Sequence, residues 1–169
     1  INQNSLNQLN NALATGGYYV EIFKDYKFKK PLVVYNHFSE GIKEKIISYK
    51  NSLILNENSE LTILNYIDTN FKNNFFVNSF DYLNLKKDSN LKNIFVNKNR
   101  CNCYFHNYLK SDLEQNANLE NYILSTGFKF NKIDIEINLN EEHSKSSIFS
   151  ALSLGSEEHQ EIKSSINHN

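Results

Sequence analysis

The stretch from residue 52 to residue 61 decides the fold and reads Ser52-Leu53-Ile54-Leu55-Asn56-Glu57-Asn58-Ser59-Glu60-Leu61. It begins with a Leu and Ile run typical of a strand, continues with five polar residues suited to a turn, and returns to Leu. The same spacing of an apolar residue, five mostly polar residues and another apolar residue occurs four times: Ile22 to Phe28, Leu55 to Leu61, Leu85 to Leu91, and Leu113 to Leu119.

The copies follow one another at a nearly constant interval. A looser copy runs from Leu139 to Ile148, and the steps between Leu61, Leu91, Leu119 and Ile148 are 30, 28 and 29 residues. A repeat of about 29 residues, built of strand, polar turn and strand, buries the apolar face of each unit on its neighbours. The pattern predicts an all-β solenoid, or β-helix. A flat β-meander is the alternative, and it accounts less well for the constant interval.

Outside these copies, the hydrophobic period separates strands from helices. Apolar residues alternate with polar ones from Ile133 to Leu139, as in a strand with one buried face. A helical stripe runs from Asn4 to Ala14, closed by Gly16 and Gly17, and a second helix is predicted at Ser39 to Tyr49. We therefore expect a short helical lead-in at residues 1–17 and a β-helix core at residues 18–169 that is incomplete at its C-terminal end.

Composition excludes several classes of function. The net charge is −1, the pI is about 6.6, and Arg100 is the one Arg, so the basic surface typical of proteins that bind nucleic acid or anionic membranes is missing. No apolar run is long enough to span a bilayer. There is no Met, even at position 1, and we expect an internal piece of a longer protein. Two closely spaced cysteines and no export signal make a reducing, cytoplasmic setting the default.

The sequence offers three places where a metal or catalytic site is conceivable. Cys101-x-Cys103 near His106 lacks the second ligand pair that zinc sites need, and buried core thiols are the favoured interpretation. Strand parity places His106 on the opposite face from both cysteines. Solvated charges are the favoured interpretation of the other metal-capable residues: Glu158, His159, Glu161, His168, and His143 in a polar turn. We predict no catalytic, cofactor-binding or metal residue, and no enzyme.

Several motifs occur in the order and spacing of a known family. They are Leu9 to Leu13, Gly17 to Val20, Lys30 to Leu32, Ser52 to Leu61, Tyr104 to His106, Ala151 to Leu154, Glu158-His159-x-Glu161 and Ile166-x-His168. In this series the chain resembles the core domain of the SufB/SufD family of the SUF iron–sulfur cluster assembly system, and it is most similar to SufD. Glu158 and Glu161 stand where the family pattern has an amide and an aspartate, and Lys132-Ile133 stands where it often has a polar pair.

The resemblance implies a right-handed parallel β-helix and a non-catalytic scaffold subunit. It also implies a SufB-like paralogue and a SufC-like ATPase as partners of the full-length protein. In this family the cluster ligands and the ATPase-binding helices lie toward the C-terminus, which would place them beyond Asn169. We therefore expect no cofactor bound by this piece, with the iron–sulfur cluster handled transiently by the full complex. A carbohydrate-active β-helix enzyme and a β-solenoid adhesin are the alternative functions.

Overall fold

A computed structural model describes residues 5–39, 41–42, 44–68 and 74–169, with side chains left undescribed at 68 and 99–101. Within these ranges, one helix is followed by nine strands: α1 (Ser5–Leu13), β1 (Tyr19–Ile22), β2 (Leu32–His37), β3 (Ile46–Leu55), β4 (Glu60–Asp68), β5 (Phe76–Leu85), β6 (Asn90–Leu113), β7 (Asn118–Leu139), β8 (Lys145–Ser153) and β9 (His159–His168). Every strand pairing among the described residues is parallel, and the strands wind into a β-solenoid. The predicted fold class is confirmed. Among the described residues, none forms a helix long and apolar enough to cross a membrane.

Each turn of the solenoid contributes one strand to each of two faces. The first face consists of β1, β3, β5, residues 104–113 of β6, residues 130–139 of β7, and β9. The second face consists of β2, β4, residues 90–98 of β6, residues 118–126 of β7, and β8. Strands β6 and β7 are long because each crosses from the second face to the first without interruption.

The polar spacers recognised in the sequence are the turns that join the first face to the second. One residue in each turn has a positive φ, including 55° at Asn58, 59° at Asp88 and 56° at Asn116. Asn and Asp tolerate this left-handed conformation better than most residues, which explains their recurrence. Stacked turns are also joined by side chains, since the Asn116 Nδ2 donates to the Asp88 Oδ1 at 2.8 Å.

The register confirms the sequence repeat except at its last copy. Leu55, Leu85, Leu113 and Leu139 lie opposite one another on successive strands, as the spacing predicted. At the last copy Leu119 lies opposite Ser146, 27 residues later, and not opposite Ile148. The expectation for Ile148 is wrong because the turn after Leu139 brings Lys145 into register with Asn118, so that Ile148 pairs with Asn121.

The second predicted helix is also wrong. Ile46 to Leu55 forms β3, which pairs with β5 along its whole length. The apolar residues at Ile46 and Ile47 fit a helix in isolation, but a helix this short is marginal by itself, whereas parallel pairing with β5 joins the segment to the sheet of the solenoid. Residues 40 and 43 of the predicted helix lie outside the described residues. The first predicted helix is confirmed as α1, with Asn4 outside the described residues.

The interior of the solenoid contains two apolar clusters. The larger one is built from stacked inward-facing leucines and isoleucines, among which Leu55, Leu85 and Leu113 have no exposed surface. Burial of such a side chain stabilises a fold by about 1.5–3 kcal/mol. The smaller cluster contains the rings of Phe38, Phe75, Phe105 and Phe128, and Cys103 packs into it.

Candidate functional site

A layer of polar side chains inside the solenoid borders the larger apolar cluster. Three of them come from the first face, Asn51, Asp81 and Asn107, and three from the second face, Asn65, Asn93 and Asn121. Together with apolar neighbours such as Leu53 and Ile133, they line a cavity of about 20 Å³. That volume is enough for about one water molecule.

The second-face asparagines of this layer form a hydrogen-bonded ladder. The Asn65 Nδ2 donates to the Asn93 Oδ1 at 3.1 Å, and the Asn93 Nδ2 donates to the Asn121 Oδ1 at 3.0 Å. Each bond joins residues 28 positions apart in the chain. The ladder ends at Asn121, whose register partner on the next strand is Ile148, and the buried Asn121 Nδ2 has no hydrogen-bond partner.

Asp81 brings a carboxylate into the same layer from the first face. Its Oδ1 accepts from the Asn51 Nδ2 at 2.7 Å, and its Oδ2 accepts from the Asn107 Nδ2. Burial raises the pKa of Asp81, while these two hydrogen bonds partly offset the shift because they favour the charged form. The layer therefore places an acidic group with a raised pKa beside the cavity.

A second polar cluster lies on the outer surface of the first face and centres on His106. This residue points outward from β6, yet it has no exposed surface. The His106 Nδ1 lies 2.9 Å from the Asn78 Oδ1, and the His106 Nε2 lies 3.2 Å from the Asp134 Oδ2. Burial lowers the pKa of His106, while the hydrogen bond and the charge of Asp134 oppose this shift and the charge of Lys132 adds to it.

Helix α1 lies over this cluster and makes polar contacts with it. The Asn78 Nδ2 donates to the Leu6 carbonyl oxygen at 2.8 Å. In return, the Asn10 Nδ2 donates to the carbonyl oxygens of Asn78 and Tyr49, at 2.7 Å and 3.2 Å. Asn10 is buried and Leu6 and Leu9 are partly buried, so polar and apolar groups together hold α1 in place.

The outer cluster continues to the surface through charged residues of β7 and β9. The Lys132 Nζ lies 3.8 Å from the Asp134 Oδ1 and 3.3 Å from the Glu161 Oε1, and the His159 Nε2 lies 3.9 Å from the Glu161 Oε2. The ring of His159 stacks on that of Phe130 with 5.1 Å between centroids. Within the described ranges, no group of three or more His, Cys, Asp or Glu side chains is arranged to hold a metal ion.

The remaining candidates from the sequence do not join either cluster. Cys103 is buried in the smaller apolar cluster on the opposite face of β6 from His106, so its predicted place in the core is confirmed. It is disulfide-bonded, so the expectation of a free thiol is wrong for this residue. The side chain of Cys101 lies outside the described residues. The Glu158 Oε2 accepts from the backbone N–H of Gly155 at 2.8 Å, and His143 and His168 are exposed.

Sequence reasoning missed both polar clusters, although the chain carries a signal for them. Asn78, His106 and Asp134 are joined by contacts between residues 28 positions apart, as are the members of the asparagine ladder. Aligning the polar residues in the register of the leucines places the ladder asparagines in one column and Asn78 with His106 in another, while Asp134 lies opposite Tyr108 in the neighbouring column. The sequence shows no sign that α1 covers one of those columns.

Comparison with known protein families assigns this solenoid of stacked parallel turns to a family. Residues 37–169 match the family described as SUF system FeS cluster assembly, SufBD core domain. The chain belongs to the SufBD core family. SufBD core proteins take part in SUF iron–sulfur cluster assembly, and the resemblance found in the sequence is confirmed at that level. No curated protein matches the chain.

Proposed function

We propose that this SufBD core chain is the SufD-like, non-catalytic scaffold subunit of a SUF complex, working with a SufB-like paralogue and a SufC-like ATPase. The observation that carries the proposal is the family match from residue 37 to residue 169. Iron and sulfide are cargo of the assembled complex in this proposal, and the chain contributes a rigid surface on which the partners are arranged.

Contacts between neighbouring turns support a rigid scaffold. Ion pairs join adjacent strands at Lys86–Glu114 (2.6 Å), Lys92–Glu120 (3.3 Å) and Lys110–Glu136 (3.2 Å). Each pair is partly exposed and contributes little by itself, about 0–1 kcal/mol. Their repetition beside the asparagine ladder ties each turn to the next, and a solenoid is stabilised by such nearest-neighbour contacts.

The outer surface of the second face supports a role in complex formation. Two columns of apolar side chains cross this face from β2 to β8, and we call them the outer apolar surface. They are Val33, Leu64, Ile94, Tyr122 and Phe149 in one column, and Tyr35, Tyr66, Val96, Leu124 and Ala151 in the other. Leu124 is 47% exposed and Phe149 is 50% exposed. Contiguous apolar patches of this kind mark interaction sites, and stacked pairs such as Tyr122 and Phe149 add aromatic area typical of interfaces.

The test is co-purification of the full-length parent with a SufB-like protein and a SufC-like ATPase. We expect a stoichiometric complex for the wild-type protein. Leu124→Lys and Phe149→Lys, which place charge on the outer apolar surface, should reduce the recovered partner at least about tenfold, because a charge would have to be buried unpaired. Tyr104→Lys is the matched control, since Tyr104 is a 39% exposed aromatic residue on the first face.

Two outcomes separate the parts of this proposal. If neither partner co-purifies with the wild-type protein, the scaffold function is wrong. If both partners are retained by Leu124→Lys and Phe149→Lys at wild-type ratios, the function stands and the outer apolar surface is not the contact.

A further inference from the structure

We propose that His106 and Asp134 form a buried proton-binding site beneath helix α1, and that one proton shared between them fastens the helix to the first face. The site is defined by Asn78, His106 and Asp134 on three neighbouring strands, together with the two contacts that α1 makes to Asn78.

Helix α1 fixes the orientation of the Asn78 amide. The Nδ2 of Asn78 donates to the Leu6 carbonyl oxygen at 2.8 Å, and a carbonyl accepts but cannot donate. The Oδ1 of Asn78 must therefore face the His106 Nδ1, which lies 2.9 Å away. Because that oxygen is also only an acceptor, the Nδ1 carries a hydrogen whenever the helix is in place.

The second ring nitrogen of His106 then sets the proton count. If the ring is neutral and its hydrogen is on Nδ1, Nε2 is a bare acceptor that faces the Asp134 Oδ2 at 3.2 Å. Two acceptors in a buried contact oppose each other unless one proton lies between them. That proton resides either on the ring, giving an imidazolium and a carboxylate, or on the carboxyl group. The contact needs one proton in both cases.

The charged groups near the site influence where the shared proton resides but do not remove the need for it. Helix α1 contributes none, because residues 5–13 contain no charged side chain. The Lys132 Nζ lies 3.8 Å from the Asp134 Oδ1, and this cation is shared with Glu161. The register also places Lys163 of β9 opposite Asp134. Burial lowers the pKa of His106, the hydrogen bond and the charge of Asp134 oppose this shift, and the charge of Lys132 adds to it.

Neighbouring residues of β6 are occupied elsewhere. The Tyr108 hydroxyl donates to the Glu136 Oε2, and the side chain of Tyr104 packs against the ring of Phe130. On the side of the preceding strands, Ser48 and Asn78 lie in the same column as His106, and neither is ionisable. The proton count of the site is therefore a property of His106 and Asp134.

Release of the helix changes this count by one. Without the Leu6 carbonyl, the Asn78 amide is able to rotate and present its Nδ2 to the His106 Nδ1. The ring can then carry its hydrogen on Nε2 and donate it to an ionised Asp134, so every contact is satisfied with one proton fewer. Docking of α1 thus takes up one proton. Its equilibrium constant should fall by up to about tenfold per pH unit over the pH range in which the docked state holds this proton and the released state does not.

The experiment is hydrogen exchange of the α1 amides, residues 5–13, followed by mass spectrometry between pH 6 and pH 9 on the whole chain and reported as protection factors. In the wild-type protein we expect protection of α1 to decrease with pH at a slope approaching about tenfold per unit. Asp134→Asn should keep the helix protected at every pH, because its amide donates to the bare Nε2 without a titrating proton. Tyr108→Phe is the control on the same strand, and it should retain the wild-type slope.

A direct readout accompanies the exchange measurement. Ring ¹⁵N chemical shifts of His106 should show a protonated Nδ1 in the docked state. His106→Gln is a second variant that removes the titrating ring, and it should abolish the slope even if Asp134→Asn folds poorly. Equal slopes in the wild type and in either variant, or a bare Nδ1 while α1 is protected, would overturn the proposal.

Discussion

The asparagine ladder offers a sharp test of how the interior of the solenoid is held together. Asn93 and Asn121 occupy equivalent positions on neighbouring strands, and both are buried, with 8% and 0% of their surface exposed. Replacing either residue by Ala removes the same atoms and leaves a similar space. Any difference between the two variants therefore reports their hydrogen bonds.

The structure gives different bond counts for the two replacements. Asn93→Ala breaks the bond from Asn65 and the bond to Asn121, whereas Asn121→Ala breaks only the bond from Asn93. Each orphaned buried polar group costs about 1–3 kcal/mol, so we expect losses of about 2–4 kcal/mol for Asn93→Ala and about 1–2 kcal/mol for Asn121→Ala. The double variant should cost little more than Asn93→Ala, because that change already breaks the shared bond.

The assay is urea denaturation of the three variants and the wild type, monitored by circular dichroism, with the free energy of unfolding taken from each transition. A loss for Asn121→Ala equal to or greater than that for Asn93→Ala would refute the reasoning. Additive losses in the double variant would show that the two side chains do not interact.

Three further predictions concern backbone, core and pH. Gly17→Ala should destabilise the fold by more than about 2 kcal/mol, because the added Cβ would lie 1.6 Å from the Lys50 carbonyl oxygen at a φ of +134°. Thermal unfolding would measure this loss, and an unchanged melting temperature would contradict the prediction. Leu85→Ala should lower the free energy of unfolding, measured in urea, by about 2–5 kcal/mol, while Leu124→Ala on the exposed surface should lower it far less. Similar losses in the two variants would show that the interior is not packed as described. Burial raises the pKa of Asp81, so the stability this group contributes is fully present below its unfolded pKa and is lost as pH rises through its folded pKa. Free energies of unfolding measured from pH 3 to pH 8 should therefore show this decline in the wild type and not in Asp81→Asn.

The repeat could be predicted from the sequence because it rests on short-range patterns. The turn residues that need a left-handed backbone, such as Asn58 and Asn116, lie between runs with strand periodicity, and both features are local. Regular spacing of leucines such as Leu55 and Leu85 then fixed which residues stack, since neighbouring turns must bury the same face. At the level of the fold these patterns were sufficient, whereas the family was indicated by the resemblance of an ordered series of motifs.

Local patterns failed where pairing between distant segments decides the outcome. Ile46 and Ile47 fit a helical stripe and a strand equally well, and only the partner strand β5 selects the strand. Ile148 fits the leucine spacing, but the longer turn before it moves the register and places Ser146 in the leucine column. A backbone that takes its hydrogen bonds from neighbours in space follows those neighbours more than its own sequence.

The polar clusters also combine features that follow from local sequence patterns with features that depend on distant segments of the chain. From sequence alone, strand parity places Cys103 and His106 on opposite faces of β6, and the structure agrees. Parity says nothing about exposure, and His106 has no exposed surface, while helix α1 is held beside it through the contacts of Asn10 and Leu6 with Asn78. Which way a side chain points is a property of its strand. Whether that side is exposed or buried depends on the segments that pack beside it from elsewhere in the chain, and only the tertiary structure decided it.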